Sequence, residues 1–580
     1  MNGQISWKVG GQQGEGIEST GEIFALTLNR QGYYLYGYRH FSSRIKGGHT
    51  HNKIRIATKP VRAISEELDI LVAFDQETID LNAHELHKDG IVLADAKFKP
   101  SLPSQSNARL LSVPFSQIAK DLGSPVMKNM VAIGASSALV GMNPAVFNDV
   151  VAEIFERKGK QVIQRNVLAI EEGAAFVIME LSQHAPFILP PSDRKQRLFM
   201  IGNDALSLGF LAGGCRFMAA YPITPASEIM EYMINELPDY GGAVIQTEDE
   251  MAAATMAIGA NYAGVRAVTA SAGPGLSLMM ESIGLSGMTE TPLVIVDTQR
   301  GGPSTGLPTK QEQSDLFAMI YGTHGEIPKI VMAPSTVQEA FHDAIEALNL
   351  AEEYQVPVII LSDLQLSLGK QTIDELDYKH INIRRGKILH EAPEVTAGDK
   401  SYFDRYRVTG DGISERILPG LKDGIYHVTG VEHDATGKPS EKAGNRKEQM
   451  DKRLRKLNNL PQTFHEPIHA VTPFPDPDIV LIGFNSTRGP IQEAMDMLKA
   501  SGVKVNCAQI RLLEPFPAQE MQRLLQHARV VLTVEHNATG QLANLIKMNV
   551  GCHDKIKSLL QYDGTPFYPK QVYQFAKELL

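Results

Sequence analysis

The sequence predicts a multidomain α/β protein whose sheets are largely parallel. Three observations carry that prediction. Runs of consecutive apolar residues, such as Pro292-Leu-Val-Ile-Val-Asp297 and Pro357-Val-Ile-Ile-Leu-Ser362, read as strands buried on both faces. These runs alternate with helical stretches, as parallel βαβ units do. A length of 580 residues, at about 150 per domain, exceeds what one hydrophobic core supports.

The elements follow in order. The first block, residues 1–185, opens with a strand over Ile5–Val9, a Gly-rich loop, and a helix whose apolar face carries Ile17, Gly21, Phe24 and Leu28. Further strands are expected over Asp69–Phe74 and Gly90–Asp95. The stretch Ala185–Arg197 holds three prolines and several charges and reads as a linker. The second block, 198–385, places strands at Gly242–Gln246, Arg266–Ala270, Pro292–Asp297 and Pro357–Ser362. Its helices are expected over Glu250–Gly264 and Gly275–Met288. From 386 to 470 the alternation stops. That segment is polar, turn-rich and basic (Lys442, Arg446, Lys447, Lys452, Arg453, Arg455, Lys456), and reads either as an excursion wrapping another part of an assembly or as a solvated linker. The third block, 471–580, resumes with strands over Asp478–Phe484, Val503–Ile510 and Val530–Val534. Helices are expected over Pro490–Ala500 and Ala518–His527, and another from near Thr539.

Composition excludes several classes. Fifty-six Lys and Arg against 66 Asp and Glu leave a net charge of −10, which argues against a general nucleic-acid binder. Cys215, Cys507 and Cys552 are too few and too dispersed for a disulfide framework or for the four thiolates of an iron–sulfur cluster. The N-terminus has no signal-peptide pattern, and no apolar stretch reaches the roughly 20 residues of a membrane span. A soluble, cytoplasmic protein is expected.

The loop Gly10-Gly11-Gln12-Gln13-Gly14-Glu15-Gly16 lies between a strand and a helix. Such a loop presents backbone N–H groups and a helix N-terminus to an anion, although Gly loops also serve as plain tight turns. The acid that would hold a nicotinamide dinucleotide's ribose is missing, since no Asp or Glu occurs between Glu22 and Glu66. The interval holds Arg39, Arg44, Lys46, Lys53 and Arg55, with Lys46-Gly47-Gly48-His49 at its centre. That favours a ligand with several phosphates over NAD; the bland alternative is a solvated basic face. His49 and His51 lack a clustered third metal ligand and are expected in a loop.

In the second block, Tyr221-Pro222-Ile223-Thr224-Pro225 sets a hydroxyl between two prolines. The corner either aims Thr224 at a ligand or is simply a stiff turn into a helix. Glu248, Asp249 and Glu250 crowd the start of a helix made of Ala, Gly and Met. The helix dipole alone accounts for such acids, but small residues also permit deep burial, and a desolvated carboxyl suits proton exchange with a nitrogen heterocycle. Glu250 is nearest the small-residue helix. The loops Ala272-Gly-Pro-Gly275 and Gln299–Thr309 follow the next strands. In a parallel sheet all these loops leave the carboxyl edge, where open α/β sheets bind ligands. Thr224, Glu250, Ala272–Gly275 and Arg300 are therefore expected to converge, with Arg300 as a carboxylate clamp.

With these motifs in place, the chain resembles the α subunit of 2-oxoacid:ferredoxin oxidoreductases in the form where the γ domain is fused ahead of α. The resemblance rests on the Gly10–Gly16 loop with Lys46-Gly-Gly-His, Tyr-Pro-Ile-Thr-Pro, Glu-Asp-Glu-Met-Ala-Ala, Ser-Ala-Gly-Pro-Gly, and Gln-Arg-Gly-Gly-Pro-Ser-Thr-Gly-Leu-Pro-Thr. It ends with Val534-Glu-His-Asn-Ala-Thr-Gly-Gln541. It implies a γ domain, a thiamine-diphosphate-binding-type parallel-sheet domain and a transketolase-C-terminal-like domain. The activity implied is oxidative decarboxylation of a 2-oxoacid, 2-oxoglutarate by the form of the Arg300 motif, to acyl-CoA (succinyl-CoA) and CO2 with electrons to ferredoxin. Glu250 matches the glutamate that hydrogen-bonds thiamine N1′ and favours the imino tautomer that generates the ylid. Thr224 and Arg300 match residues contacting the 2-oxoacid, and Thr309 one lining its far end. Gly10, Gly11, Gly14, Gly16, Lys46, Gly47 and Gly48 belong to the coenzyme A-associated domain.

No Gly-Asp-Gly…Asn run of the kind that holds Mg2+ and the thiamine diphosphate is found, nor a Cys cluster. In two-subunit members both reside on a β subunit. The chain is therefore expected to act only with β, as α2β2, with thiamine diphosphate shared across the interface and the Mg2+ and iron–sulfur cluster on β. Alternatives are the same chemistry on pyruvate or another 2-oxoacid, a nicotinamide-dependent dehydrogenase, which the missing ribose acid disfavours, and a non-catalytic CoA- or thiamine-binding regulatory chain.

Overall fold

Residues 3–42, 47–181, 185–391 and 402–580 are described by a computed structural model, and they form two compact units. The first comprises residues up to Met200 with short returns at Leu368–Glu375 and Tyr568–Lys570; the second contains the rest.

In the first unit, the helix expected after the Gly loop runs over Ile17–Arg30 and buries Ile17, Gly21, Phe24 and Leu28 as its spacing requires. Phe24 stacks on Trp7 with ring centroids 4.6 Å apart. Trp7 donates to Ser136 Oγ at 3.0 Å, which satisfies the indole N–H inside the core. Eight strands form one sheet, in the order Arg109–Val113, Leu86–Asp95, Leu68–Ala73, Gln4–Gln12, His49–Ala57, Tyr34–His40, Gln371–Ile373, Leu198–Met200. The first four are parallel; the remainder pair antiparallel.

His49 and His51 therefore lie in a strand, not in the loop expected for them. Period-two alternation in Asn52-Lys-Ile-Arg-Ile is the signal that places them there. His51 is stacked on His40 at 4.7 Å, and burial holds it neutral, well below the usual imidazole range.

The second unit contains a seven-stranded sheet in the order Leu512–Glu514, Ile330–Met332, Pro357–Asp363, Leu293–Gln299, Ala267–Ser271, Phe217–Ala220, Ala243–Gln246. It is parallel except at its first strand. The apolar strands identified in the sequence are its centre, and Val294, Ile295, Val296, Ile359 and Ile360 are buried on both faces. A second sheet orders Ile468–Val471, Val505–Ile510, Ile479–Gly483, Val530–Glu535 and Ile556–Leu560, again parallel apart from the first strand.

The basic run of segment 386–470 is solvated only in part: Lys442, Arg446 and Lys447 are exposed, whereas Lys452, Arg453 and Lys456 are buried. It forms the helix Ala443–Arg455, and Lys452 and Lys456 are fully buried against Glu290 at 2.6 and 2.7 Å. Arg453 pairs with Glu432 at 2.6 Å. The segment packs on its own unit by burying these charges in pairs, which charge composition alone does not distinguish from a wet surface.

Candidate functional site

At the carboxyl edge of the seven-stranded sheet, the three acids Glu248, Asp249 and Glu250 take different roles. Asp249 is the N-cap of helix Glu250–Tyr262 and accepts from Ala252 N at 2.7 Å. Glu248 is exposed, whereas Glu250 is buried. Ordinary helix capping is thus met by Asp249, and Glu250 is left over. No ion pair engages the Glu250 carboxyl among the described residues.

The loop after strand Ala267–Ser271 closes around that carboxyl. A Cβ at Gly275 would overlap Ser271 Oγ and come within 2.7 Å of Glu250 Oε1. Only glycine leaves room for the acid beside the start of helix Gly273–Thr289.

Arg300 follows the end of strand Leu293–Gln299. It is buried and donates through Nη1 to Thr224 O at 2.6 Å. Thr224 itself is half-buried, after strand Phe217–Ala220. Residues 301–310 form a closed loop, held by Gly301 N to Lys310 O at 3.1 Å and Leu307 N to Gly301 O at 2.8 Å. Arg300 enters the loop, and Thr309, buried, sits at its exit. Beyond it, Gln313 Nε2 donates to Asp363 Oδ2 at 2.8 Å and to Phe484 O at 3.1 Å, and Gln313 Oε1 accepts from His536 N at 3.0 Å. The loop is thereby bolted to the second sheet. Thr224, Glu250, Gly275 and Arg300 all lie at the carboxyl ends of strands of this one sheet, and the link from Arg300 to Thr224 joins two of those ends directly.

Sequence reasoning misses the polar residues beneath this edge. Ser271, Asp297 and Asp315 carry buried oxygens without hydrogen-bond partners. Burial and the neighbouring Asp315 hold Asp297 well above the usual carboxylate range. Burial first, then Glu312, pushes Asp315 up to about 6, against the pull of Arg300. The one signal is an acid ending an apolar strand, where alternation gives no hint of a polar interior.

One Gly-Asp-Gly tripeptide does occur, Gly410-Asp411-Gly412, with no Asn until Asn445. Asp411 is spent on Lys387 at 2.6 Å and on Thr409 Oγ1 at 2.9 Å in a surface turn.

In the first unit, the strand Gln4–Gln12 runs through Gly10 and Gly11, where close packing needs glycine: a Cβ on Gly10 would come within 2.7 Å of Thr78 Cγ2 and one on Gly11 within 2.8 Å of Ile17 Cδ1. Gly14 and Gly16 instead have φ of +95° and +78°, and Gly16 is the N-cap of the following helix. Gly47 and Gly48 meet this loop, since Gln13 N donates to Gly48 O at 3.1 Å. Glu15 Oε2 accepts from Gln12 N at 3.1 Å and Oε1 pairs with Lys128 at 2.8 Å. The loop therefore carries its own carboxylate, partly offsetting its preference for anions. Among the basic residues expected to face a ligand, Lys53 is buried against Glu85 at 2.8 Å and Arg39 pairs with Glu18 at 2.6 Å. Arg55 donates to Ala63 O at 2.9 Å. Lys46 and Arg44 lie outside the described residues.

Known proteins share this architecture. Residues 209–452 match the family described as pyruvate flavodoxin/ferredoxin oxidoreductase, thiamine diP-bdg. Residues 6–176 match pyruvate ferredoxin/flavodoxin oxidoreductase, and 477–572 match pyruvate:ferredoxin oxidoreductase core domain II. The 2-oxoacid:ferredoxin oxidoreductase subunit alpha of a Sulfolobus species is 36% identical across 97% of this chain and 95% of its own length. The 2-oxoglutarate synthase subunit KorA of Methanothermobacter marburgensis is 39% identical over 60% of this chain and 89% of its own. The solved 2-oxoglutarate:ferredoxin oxidoreductase from Magnetococcus marinus, with 2-oxoglutarate, coenzyme A and succinyl-CoA bound, superposes with a TM-score of 0.92 at 35% identity over 99% of both chains. The chain belongs to the α subunits of the 2-oxoacid:ferredoxin oxidoreductases.

Proposed function

We propose that the chain supplies the thiamine-activating and acid-gripping half of an enzyme that converts 2-oxoglutarate to succinyl-CoA and CO2, passing electrons to ferredoxin. The observation that carries this reading is Glu250: buried, uninvolved in capping, without an ion pair among the described residues, and cradled by Gly275. That arrangement fits an aminopyrimidine ring nitrogen, which needs a carboxyl partner in a dry recess. When bound, thiamine diphosphate supplies a carbon nucleophile and electron sink for decarboxylation.

The chain's own residues then divide the work. Glu250 holds and exchanges the proton at the pyrimidine N1′. Arg300 engages the substrate carboxylate through its guanidinium, and the Thr224 hydroxyl orients the reacting end. Thr309, at the exit of the Arg300 loop, lines the far end. Gly10, Gly11, Gly14 and Gly16, with Lys46, Gly47 and Gly48, receive coenzyme A phosphate at the start of helix Ile17–Arg30. Residues 1–185, 198–385 and 471–580 act as the three modules, joined by 386–470. A β subunit brings Mg2+, the diphosphate anchor and the iron–sulfur cluster, in a cytoplasmic α2β2 assembly.

The choice of 2-oxoglutarate is supported by the 2-oxoglutarate bound in the Magnetococcus marinus enzyme and by the 2-oxoglutarate synthase name of the Methanothermobacter marburgensis relative. The test is to purify the chain with its partner and to screen 2-oxoacids for CoA-dependent ferredoxin reduction. A preference for 2-oxoglutarate of at least about tenfold in kcat/KM over pyruvate is expected; a preference for pyruvate overturns the substrate assignment.

A further inference from the structure

Behind the Arg300 side of the site lies a set of buried polar atoms that the fold leaves unused. Asp297, in strand Leu293–Gln299, stands in register with Ser271 and Leu361 and is fully buried. Neither of its carboxyl oxygens has a hydrogen-bond partner among the described residues. Asp315 precedes helix Leu316–Tyr321 without capping it. Its carboxyl lies against Gly273, where a Cβ would come within 2.6 Å of Oδ2, and Oδ2 is also buried without a partner. Asp315 N donates to Gln299 Oε1 at 3.2 Å, which pins the acid beside the strand end from which Arg300 departs. Arg300 keeps its own Nε buried and unpartnered. A donor and several acceptors left unused in one interior are costly and are retained where function draws on them.

Asp297 is fully buried and Asp315 half-buried, and two carboxyl groups with so little water between them resist ionising together, so the two can store a proton. Burial and then Asp315 raise Asp297, whereas burial and then Glu312 raise Asp315, so the interaction between the two acids falls on Asp297. The groups facing them are few. Arg300 favours the ionised form of Asp315 and Glu312 opposes it. Ser271, on one neighbouring strand, is neutral and separates the pair from Glu250. Asp363, on the other, is engaged by Gln313 and Ser486 at 2.8 and 2.7 Å.

We propose that Asp297 and Asp315 form a proton-storing pair that positions Arg300, so that a carboxylate arriving at Arg300 binds together with a proton taken up by the pair. The inference rests on the proposed role of Arg300. In the empty site the guanidinium donates to the main-chain oxygens of Thr224 and Thr305 at 2.6 and 3.5 Å, and ionised Asp315 balances its charge without forming an ion pair among the described residues. An incoming carboxylate adds a second negative charge to the same low-dielectric interior. A hydronium ion or buffer acid then gives a proton to Asp315, breaking one bond to hydrogen in the donor and forming one O–H bond on the carboxyl, and the ligand's carboxylate replaces Asp315 as the negative charge that balances the guanidinium. Asp297 and Asp315 are positioning residues, and a purely structural role would move no protons.

Isothermal titration calorimetry of the assembled enzyme with glutarate, a dicarboxylate without a keto group, tests this. Titrations at pH 7 in two buffers of different ionisation enthalpy read the protons taken up per ligand. On the order of half a proton is expected for the unmodified enzyme, falling toward zero at pH 5 and lost in Asp315→Asn. Arg300→Gln must abolish glutarate binding; if it binds as the unmodified enzyme does, the clamp reading fails and this proposal with it. If Arg300→Gln abolishes binding while the unmodified enzyme gives equal heats in both buffers, the clamp stands and the proton-storing pair is overturned. Uptake that persists in Asp315→Asn overturns it as well. The two-buffer comparison on the unmodified enzyme decides the question even where Asp315→Asn fails to fold.

Discussion

Arg300 reaches back along the sheet edge to donate through Nη1 to the main-chain oxygen of Thr224, 2.6 Å away. The two residues leave strands Leu293–Gln299 and Phe217–Ala220, which are not neighbours; strand Ala267–Ser271 lies between them. The bond therefore spans the exit of the loop that cradles Glu250. It fixes the guanidinium relative to the acid before any ligand arrives, which reduces the ordering cost of binding.

Lysine at position 300 would keep the charge but lose the planar fork that serves Thr224 O and a carboxylate together. Arg300→Lys is expected to lower kcat/KM for the 2-oxoacid on the order of 100-fold. Steady-state kinetics of the assembled enzyme reads this; a change within twofold removes the clamp.

Glu250→Gln keeps the shape and removes the exchangeable proton. Loss of 2-oxoacid-dependent dye reduction by about 100-fold or more is expected. Thermal stability and assembly should stay within about 1 kcal/mol, because no ion pair of Glu250 among the described residues is broken. Melting curves and size-exclusion profiles measured beside the assay separate a catalytic loss from a folding loss.

The cradle can be tested from its other wall. Gly275→Ala places a Cβ within 2.7 Å of Glu250 Oε1 and is expected to cost about 1–3 kcal/mol by overpacking, with loss of activity. Gly284, on the same helix, has no described atom within 4 Å of where a Cβ would stand, apart from its chain neighbours and the helix's own backbone. Gly284→Ala should instead stabilise by about 0.5–1 kcal/mol. Equal effects of the two changes in chemical denaturation would show that Gly275 is not a cradle.

How far these features can be seen in the sequence depends on the physics behind each. The continuous apolar strands and the glycines at successive strand ends declare themselves locally, so the parallel sheet and the edge carrying Thr224, Glu250 and Arg300 are readable. Asp249 and Glu250 are separable only by position relative to a small-residue helix, and the structure shows why: one caps and the other does not. The burial of Lys452 and Lys456 is hidden because the partner of Lys452, Glu290, lies 162 residues earlier. The basic stretch after the first Gly loop looks ligand-facing in sequence, yet Lys53 and Arg39 find acids within the fold. Asp297 and Asp315 escape notice because a polar side chain inside or beside an apolar strand gives no periodic signal.

Glu290 gives a stability prediction with a defined sign. It sits at the C-terminus of helix Gly273–Thr289 with φ of +50°, a conformation usually left to glycine. Lys456 and Lys452 hold its buried carboxyl well below the usual carboxylate range, outweighing desolvation. The carboxyl's share of the stabilisation is therefore complete above the ordinary value of 4.5 and is lost as pH falls below it, while burial lowers Lys452 to about 7 and Lys456 to about 8, so the ion pairs weaken as pH rises past those values. Glu290→Gln should cost about 3–5 kcal/mol at pH 7 by leaving Lys452 and Lys456, which burial already lowers to about 7 and about 8, without their buried counter-charge. The gap in Tm between the two proteins should narrow on acidification toward pH 3. A gap that widens there would show that the ion pairs are not the source.

The most direct test compares the assembled enzyme carrying Glu250 with the same assembly carrying Glu250→Gln, following CoA-dependent reduction of ferredoxin by 2-oxoglutarate. If Glu250 activates thiamine, turnover is steady in the first and no higher than background in the second, with thiamine diphosphate required throughout. Comparable turnover in both would mean that the buried acid at the rim of the sheet does not activate the cofactor.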